Sequence, residues 1–574
     1  MSIAFTGSWA TVHSEEPIRS HPQAEKDAQV AYIEGNRTGY EWFAHAANSF
    51  QGVPFLLLRT LPEVEPEIWG APDEKFSRFG FAFTASDRKE NRPLPTGLSW
   101  DPMSESPGGA SPVRSVSLAC GACHIGHVRT DDGVLDLVGA PNTQIDVRAW
   151  RRAFELTVEK RLSSPEMAQA FAADVKAKIE SKPAGYFYGN EDPERETTER
   201  AVFVQHLSSV LDTLARRITS NQLTVHLQRI SSYGKDNRPP LNGGSVGQSD
   251  GSGDLIPKLL LLDAVSTAQA SGNAGAIPDA LQRFLGQRYP AIVADNATVT
   301  DNVSTWMQVD RSVAQLDGSV RSPFFRNIAA SLAVAGNPQN VNAENAAICV
   351  NFLHRLPPPA YPFEIDREKA EQGKQLFQEN CLVCHFPGNK AVYHNVGTDM
   401  NRARVLRKPT VDLFLRHFRA SIPQGFKYTD ANGTEVSPLD LDPDDVVNAN
   451  RVHEEHQGYI AGGIEGVWAR APYLHNGSVP TLWHLLSPHR DRPTRFVRGS
   501  IDYDRDRVGL AWNLSDLVFL RKRDPIATLY DTTRDGCSNS GHDFDVVVDG
   551  KLRKLDWSDD DAGRDQLLEY LKTL

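Results

Sequence analysis

Small and apolar residues recur at steps of three and four through AEQGKQLFQENCLVCH, residues 370–385, where Ala370, Gly373, Leu376, Phe377 and Cys381 share one face. That period predicts an amphipathic helix with a core-facing stripe. The same period fills Ala149 to Lys182 and Arg200 to Gln228, with Leu207, Val210, Leu211 and Leu214 as the stripe of the second stretch. AENAAICVNFLHRL, from Ala343 to Leu356, predicts a helix stopped by Pro357-Pro358-Pro359, since proline neither donates to nor fits a continuing helix. At the end of the chain, DQLLEYLKTL puts Leu567, Leu568, Leu571 and Leu574 on one face. Phe352-Leu353-x-x-Leu356 and Tyr570-Leu571-x-x-Leu574 read as one device used twice, a closing helix for each half. This weak repeat sets a boundary at Pro357 to Pro362, and the second half begins at Ile365. Near the N-terminus a helix is expected around Tyr40 to Asn48, while GVPFLLLRTLPEVEPEIWG and the Pro-, Gly- and Ser-rich stretch through Ser111 predict punctuated loop.

Each half also carries the same chemical motif. The helix at 370–381 runs into Cys381-Leu382-Val383-Cys384-His385, and Cys120-Gly121-Ala122-Cys123-His124 follows SVSLA. C-x-x-C-H is the spacing of c-type haem attachment: two thiols add across the vinyls and the next histidine turns its imidazole to the iron. A redox dithiol or a zinc site is the competing reading of a bare motif; the amphipathic helix ahead of Cys381 favours haem. The two motifs lie too far apart for one small cytochrome fold, so two haem domains are expected. The expected class is mainly α, with two cytochrome c-like haem domains and long loop-rich extensions. Residues 1–95 would be a lead-in wrapping the first haem domain, 96–360 the N-terminal haem c domain and 361–574 the C-terminal cytochrome c domain. His127 sits just past His124 on the same local segment, from which the opposite face of a porphyrin is out of reach. Two of the six cysteines, Cys349 and Cys537, fall outside the motifs and are expected as unpaired buried thiols.

Charge and hydropathy narrow the partners. With 61 Lys plus Arg against 73 Asp plus Glu the net charge is −12, which argues against a nucleic-acid partner and is compatible with a basic redox partner. No apolar run approaches the roughly 20 residues of a membrane span. MSIAFTGSWATVHSEEP shows no basic n-region and apolar h-region, so no signal peptide is visible. Haem c is normally attached after export, so a periplasmic or secreted location is nonetheless expected.

Several stretches offer groups for haem. Between Asn302 and Asn327, Trp306, Arg321, Phe324, Phe325 and Arg326 form a dense set: aromatics pack on porphyrin and relay electrons, and arginines pair with propionates. Core packing is the plain alternative for Trp306 and the two phenylalanines. The span from Gly458 to Leu486 supplies Trp468, Arg470, Tyr473, His475 and Trp483. A sixth ligand for the second haem is sought in Met400, close after His385, or in His542 of SNSGHDF, far enough along to return over the distal face; His542 is preferred. The glycine-rich loop Asn242 to Asp254 lacks a phosphate-cradle context. His453 and His456, with Glu454 and Glu455 between them, read as a solvated charged helix rather than a metal pair.

With these residues in place, the chain resembles the di-haem cytochrome c peroxidase superfamily, closest to the large RoxA-type, rubber oxygenase-like branch. The resemblance rests on LPPPAYPFEIDREKAEQGKQLFQENCLVCH, GVWARAPYLHNGSVPTLWHLL and SNSGHDF. It implies two covalently bound haem c groups, His542 as distal ligand of the C-terminal haem, Trp306 between the haems, and Phe324 or Phe325 over the oxygen-binding haem. A low-spin haem at His385 would then feed electrons to a haem at His124 that activates peroxide or dioxygen. A GR-x-D-A-F type segment is not readable, and Gly247 to Asp254 occupies its place, which leaves peroxidase against oxygenase open. Asp250, Asp254 and Gln248 are acid/base candidates by position, and Leu255 to Leu262 could line an apolar pocket for an organic substrate. Calcium at the interface is left open, as is a redox partner protein. The other reading is a non-catalytic di-haem electron carrier, which needs a further ligand at the first haem such as His206 or His226.

Overall fold

A Cβ at Gly373 would collide with the backbone carbonyl of Gln566, and that close approach lets helix Arg367–Asn380 cross helix Asp561–Leu571. The first helix is capped by Asp366, whose side chain accepts from Lys369 N–H, and it buries Ala370, Gly373 and Phe377. The second is capped by Asp560 and buries Leu567, Leu568, Tyr570 and Leu571. In the first half, helix Arg37–His45 packs on Ala343–His354, and there Gly39 faces the Phe352 ring, with room for no Cβ (2.9 Å to Cδ2). The closing helices thus use one device, a glycine against a bulky partner. The opening helix of the first half comes from the segment expected to be a lead-in.

The computed structural model describes residues 28–50, 52–99, 113–188, 193–233, 246–249, 255–256, 258–260, 262–263, 297–311, 313, 315–335, 337–394 and 396–574. Both helix pairs share one core: Phe43, Phe352 and Leu356 join Trp306, Phe377, Trp468, Tyr570 and Leu574 in a single buried cluster. Burying each large apolar side chain there is worth roughly 1.5–3 kcal/mol. The chain is mainly α-helical among the described residues, with eight small two-stranded antiparallel pairs.

A second core carries the extension. The periodic stretch from Ala149 is broken by Ser163-Ser164-Pro165 into Val147–Arg161 and Pro165–Glu180, Ser164 capping the latter by accepting from Met167 N–H. Helix Pro193–Tyr233 lies alongside. The proline-punctuated segment near residue 55 is not loop but helices Phe55–Val64 and Pro66–Trp69. Burial of Phe55, Leu56, Leu57, Leu58 and Leu61 overrides the prolines, and Pro66 starts its helix at a position where no N–H is needed. No helix among the described residues is long and apolar enough to cross a membrane.

Candidate functional site

The first C-x-x-C-H forms one turn of helix, Gly121–His124, with His124 N–H donating to the Cys120 carbonyl at 3.1 Å. Gly121 is needed there: its Cβ would lie 3.0 Å from Ala44 Cα, so the turn rests directly on helix Arg37–His45. The second motif repeats the turn as Leu382–His385, with His385 N–H on the Cys381 carbonyl at 3.0 Å.

The imidazoles are set alike. His124 Nδ1 lies 3.0 Å from the Val303 carbonyl, and His385 Nδ1 lies 2.9 Å from the Gly462 carbonyl. A proton on Nδ1 donated to a carbonyl leaves Nε2 with its lone pair outward, the tautomer a metal requires. Burial pushes the His124 pKa down to about 4 and that of His385 below its usual value, so both rings are neutral near pH 7. His127 instead pins Nδ1 to Asp136 Oδ1 at 3.0 Å across the hairpin of Ile125–Thr130 and Gly133–Val138.

Among the described residues, only the second motif has a histidine placed opposite it. The His542 and His385 rings lie 6.5 Å apart, centroid to centroid, with planes inclined at 57°. Two imidazoles bound to one metal through bonds of about 2 Å would put their centroids roughly 6 Å apart. His542 has φ +57°, and Gly541, with φ +100°, presses so close to Thr398 N that a Cβ would clash. His542 N–H donates to the Val396 carbonyl at 2.8 Å. Beneath the loop, buried Arg492 donates to six carbonyls: His484, Leu485 and Ser487 on one side, and Asn539, Gly541 and His542 on the other.

Trp306 is fully buried between the loops that hold His124 and His385. Its chain begins at Val303, the acceptor of His124, and its indole N–H donates to the Val138 carbonyl at 2.7 Å. Gly139 donates to the His124 carbonyl at 2.8 Å and faces the indole. On the other side Gly466, four residues past the acceptor of His385, packs on the six-membered ring, where a Cβ would stand 2.7 Å from Cζ3.

Around Trp306 gather three half-buried arginines. Arg470 lies 5.7 Å from a Trp306 ring centroid; Arg311 donates to Ser304, and Arg326 to Gln308 and Asn327. Burial first, and then the charge of Arg311, push Arg326 down to about 10 and Arg470 to about 9. Glu465, 3.6 Å from Arg470, is the ion-pair partner within reach. Nε of Arg311 and of Arg470 is buried with no hydrogen-bond partner among the described residues. Half-buried cations in excess of anions fit a group that brings its own carboxylates, as haem propionates do. Arg311 was not singled out in the sequence, and Arg321, which was, is exposed and turned to Asn448 Oδ1 at 3.3 Å, apart from this cluster.

Phe324 and Phe325 open helix Pro323–Ala335 and are buried with Leu255, Ile256, Leu259 and Leu260. Phe324 stacks on Tyr428 and Phe325 on Phe418. Arg326 follows them, and its charge is felt at Cys120 and His124. Of the acid/base candidates, Asp250 and Asp254 lie outside the described residues. Gln248 spends its amide N–H groups on the Asn476 carbonyl and Tyr530 hydroxyl. His206 is exposed on helix Pro193–Tyr233 and reaches no haem motif, and the His226 side chain lies outside the described residues. His475 is buried and stacked on Tyr459 at 4.4 Å. His453 and His456 are exposed on the short 3₁₀ turn Glu454–His456 and its cap, not on an α-helix. No cluster of three or more His, Cys, Asp or Glu side chains among the described residues is arranged to hold a further ion such as calcium.

Comparison with known proteins bears on both sites. A family described as RoxA-like, cytochrome c-like matches residues 458–497, the stretch that includes Gly462, Arg470 and Arg492. A Y4iN-like domain matches residues 38–124, ending on His124. The uncharacterized protein y4iM of Sinorhizobium fredii is 43% identical over 433 residues, covering 72% of this chain and 99% of that protein. From the same organism, the uncharacterized protein y4iJ is 23% identical over 632 aligned positions (96% and 94% of the two chains), and y4iN is 42% identical over 121 residues (21% and 53%).

Proposed function

The chain belongs to the family of the uncharacterized protein y4iM, and we infer that it is a di-haem c-type oxidoreductase with two unequal haem sites. The observation that carries this reading is the asymmetry of the motifs: both proximal histidines are tethered through Nδ1, and His385 alone has a described histidine, His542, opposite it. Haem c, when bound, supplies one-electron chemistry and, at an iron with an open position, activation of peroxide or dioxygen. Cys120, Cys123, Cys381 and Cys384 tether the two groups, and His124 and His385 ligate them. His542 closes the second iron to substrate. Trp306 bridges the sites, while Arg311, Arg326 and Arg470 hold carboxylates around it.

Phe324 and Phe325, with Leu255, Ile256, Leu259 and Leu260, form a buried apolar core next to Arg326, whose charge reaches the first motif. No described side chain stands ready as the acid/base that peroxide cleavage needs. Peroxidase activity and oxygenation of an apolar organic substrate are the two reactions open to an iron with a free position. Haem c is normally attached after export, which supports a periplasmic or secreted location.

Visible and electron paramagnetic resonance spectra of the ferric protein test this reading. One low-spin and one high-spin or weakly ligated haem are expected, with oxygen uptake after half-reduction that rises when a polyisoprene is added. Two wholly low-spin haems, inert to peroxide and dioxygen, would instead identify an electron carrier.

A further inference from the structure

Beside the first haem motif lies a third thiol that the proposed chemistry does not use. Cys349, fully buried on helix Ala343–His354, brings its Sγ to 4.0 Å from Cys120 Sγ, although the two are 229 positions apart. The contact is held by a buried amide frame. Cys349 S–H donates to Asn345 Oδ1 at 3.1 Å, one helical turn back, and Cys120 S–H to Asn48 Oδ1 at 3.4 Å. Asn345 Nδ2 ties the two acceptors together, donating to Asn48 Oδ1 at 2.9 Å and to the Ala46 carbonyl at 3.3 Å, while Asn342 Nδ2 holds the Ala47 carbonyl at 3.1 Å. Three distant segments are thereby fixed with the sulfurs facing one another. Cys537, the other cysteine outside the motifs, sits in a separate small core with Phe496 and Tyr530.

A disulfide needs its sulfurs at about 2.05 Å, so roughly 2 Å must be closed. We propose that Cys349 is a covalent holding site for Cys120: before haem is attached, the two form a disulfide, and Cys123 is left as a free thiol. The proposal rests on the reading of Cys120–His124 as a haem anchor. The step is thiol–disulfide exchange with an external disulfide. One cysteine thiolate attacks it and releases one thiol; the second cysteine then displaces the other, so the external disulfide takes up two electrons and leaves as two thiols. A dithiol reductant reverses the exchange and frees Cys120 for addition to a vinyl group. The bond would also cross-link Cys120 to the closing helix of its own half while the cofactor is absent, restraining the unfolded chain.

The full chain made without haem attachment, equilibrated with oxidised glutathione, alkylated and digested without reduction, gives the test by peptide mass. The expected product joins the Cys120 and Cys349 peptides, with Cys123 alkylated. C123S keeps that link; C349S and C349A, checked for retained helix by circular dichroism, lose it and shift Cys120 to Cys123. Cys120 joined only to Cys123 in the unmodified chain, or alkylated while Cys349 is free, overturns the proposal. The haem content of matured protein, mapped by peptide, separates the two readings. A Cys120–Cys349 link persisting in matured protein with no haem at 120–124 would sink the haem reading and leave the disulfide standing.

Discussion

His542 faces His385 across 6.5 Å, and the loop that presents it is secured from below by Arg492, whose guanidinium donates to the Gly541 carbonyl at 2.8 Å and the His542 carbonyl at 3.3 Å. If His542 closes the second iron, His542→Ala should convert one haem from low to high spin and open it to small exogenous ligands such as imidazole. The first haem's spectrum should not change. A wholly unchanged spectrum would refute the ligand assignment.

Arg492 acts at one remove. Its replacement by Met leaves six backbone carbonyls without their donor, at a cost of roughly 2–5 kcal/mol, since buried acceptors lose their partners. A lower Tm is expected together with partial high-spin character at the second haem, reversed by added imidazole. Lost stability with the low-spin spectrum intact would reduce Arg492 to a structural role.

How far the sequence foretold these parts depended on whether the signal was local. The helix into Cys381 was legible because apolar period and thiol spacing lie in one short stretch. His542 carries no periodicity; its place in a loop far beyond His385 marks it among seventeen histidines, and the family resemblance strengthens that choice. Val303 and Gly462 serve through backbone carbonyls, which leave no trace in residue identity. Arg311 and Arg492 were passed over because arginine is ordinarily a surface residue. Helix Arg37–His45 reads as a lead-in because the chain runs through the first part of the second core, Phe55 to Val116, before reaching Cys120, so its partnership with Ala343–His354 shows only in three dimensions.

Gly373→Ala tests the crossing of the two C-terminal helices. In an isolated helix the change would stabilise by about 1 kcal/mol, but here the new methyl meets the Gln566 carbonyl, and overpacking costs about 1–3 kcal/mol. Net destabilisation in denaturant unfolding is expected, with a larger loss for Gly373→Val. A rise in stability would mean that the helices can move apart.

Acid should loosen the first half through Asp87. Burial alone would raise its pKa, but His45, the Thr96 hydroxyl and the Thr84 N–H outweigh burial and hold it below the usual carboxylate value. A depressed folded pKa contributes stability above the unfolded value near 4, and that stability is lost as pH falls through the folded value. Asp87→Asn should lower stability at pH 7 and flatten its dependence below pH 4. An unaltered acid limb would place the sensitive carboxylate elsewhere.

Arg470 tests whether the cations around Trp306 serve the redox groups or only the packing. A unit charge about 10 Å from a redox centre, at an effective dielectric of about 20, is worth roughly 1.7 kcal/mol. Arg470→Met keeps bulk against the indole while removing that charge, so the nearer haem should become harder to reduce. Trp306→Phe leaves every charge in place and should leave both potentials unchanged while slowing electron exchange between the haems. The two variants therefore separate by readout, potential for one and rate for the other. Matching potential shifts in both would mean that Trp306 and Arg470 act by holding the core, whose repacking alone then perturbs the sites.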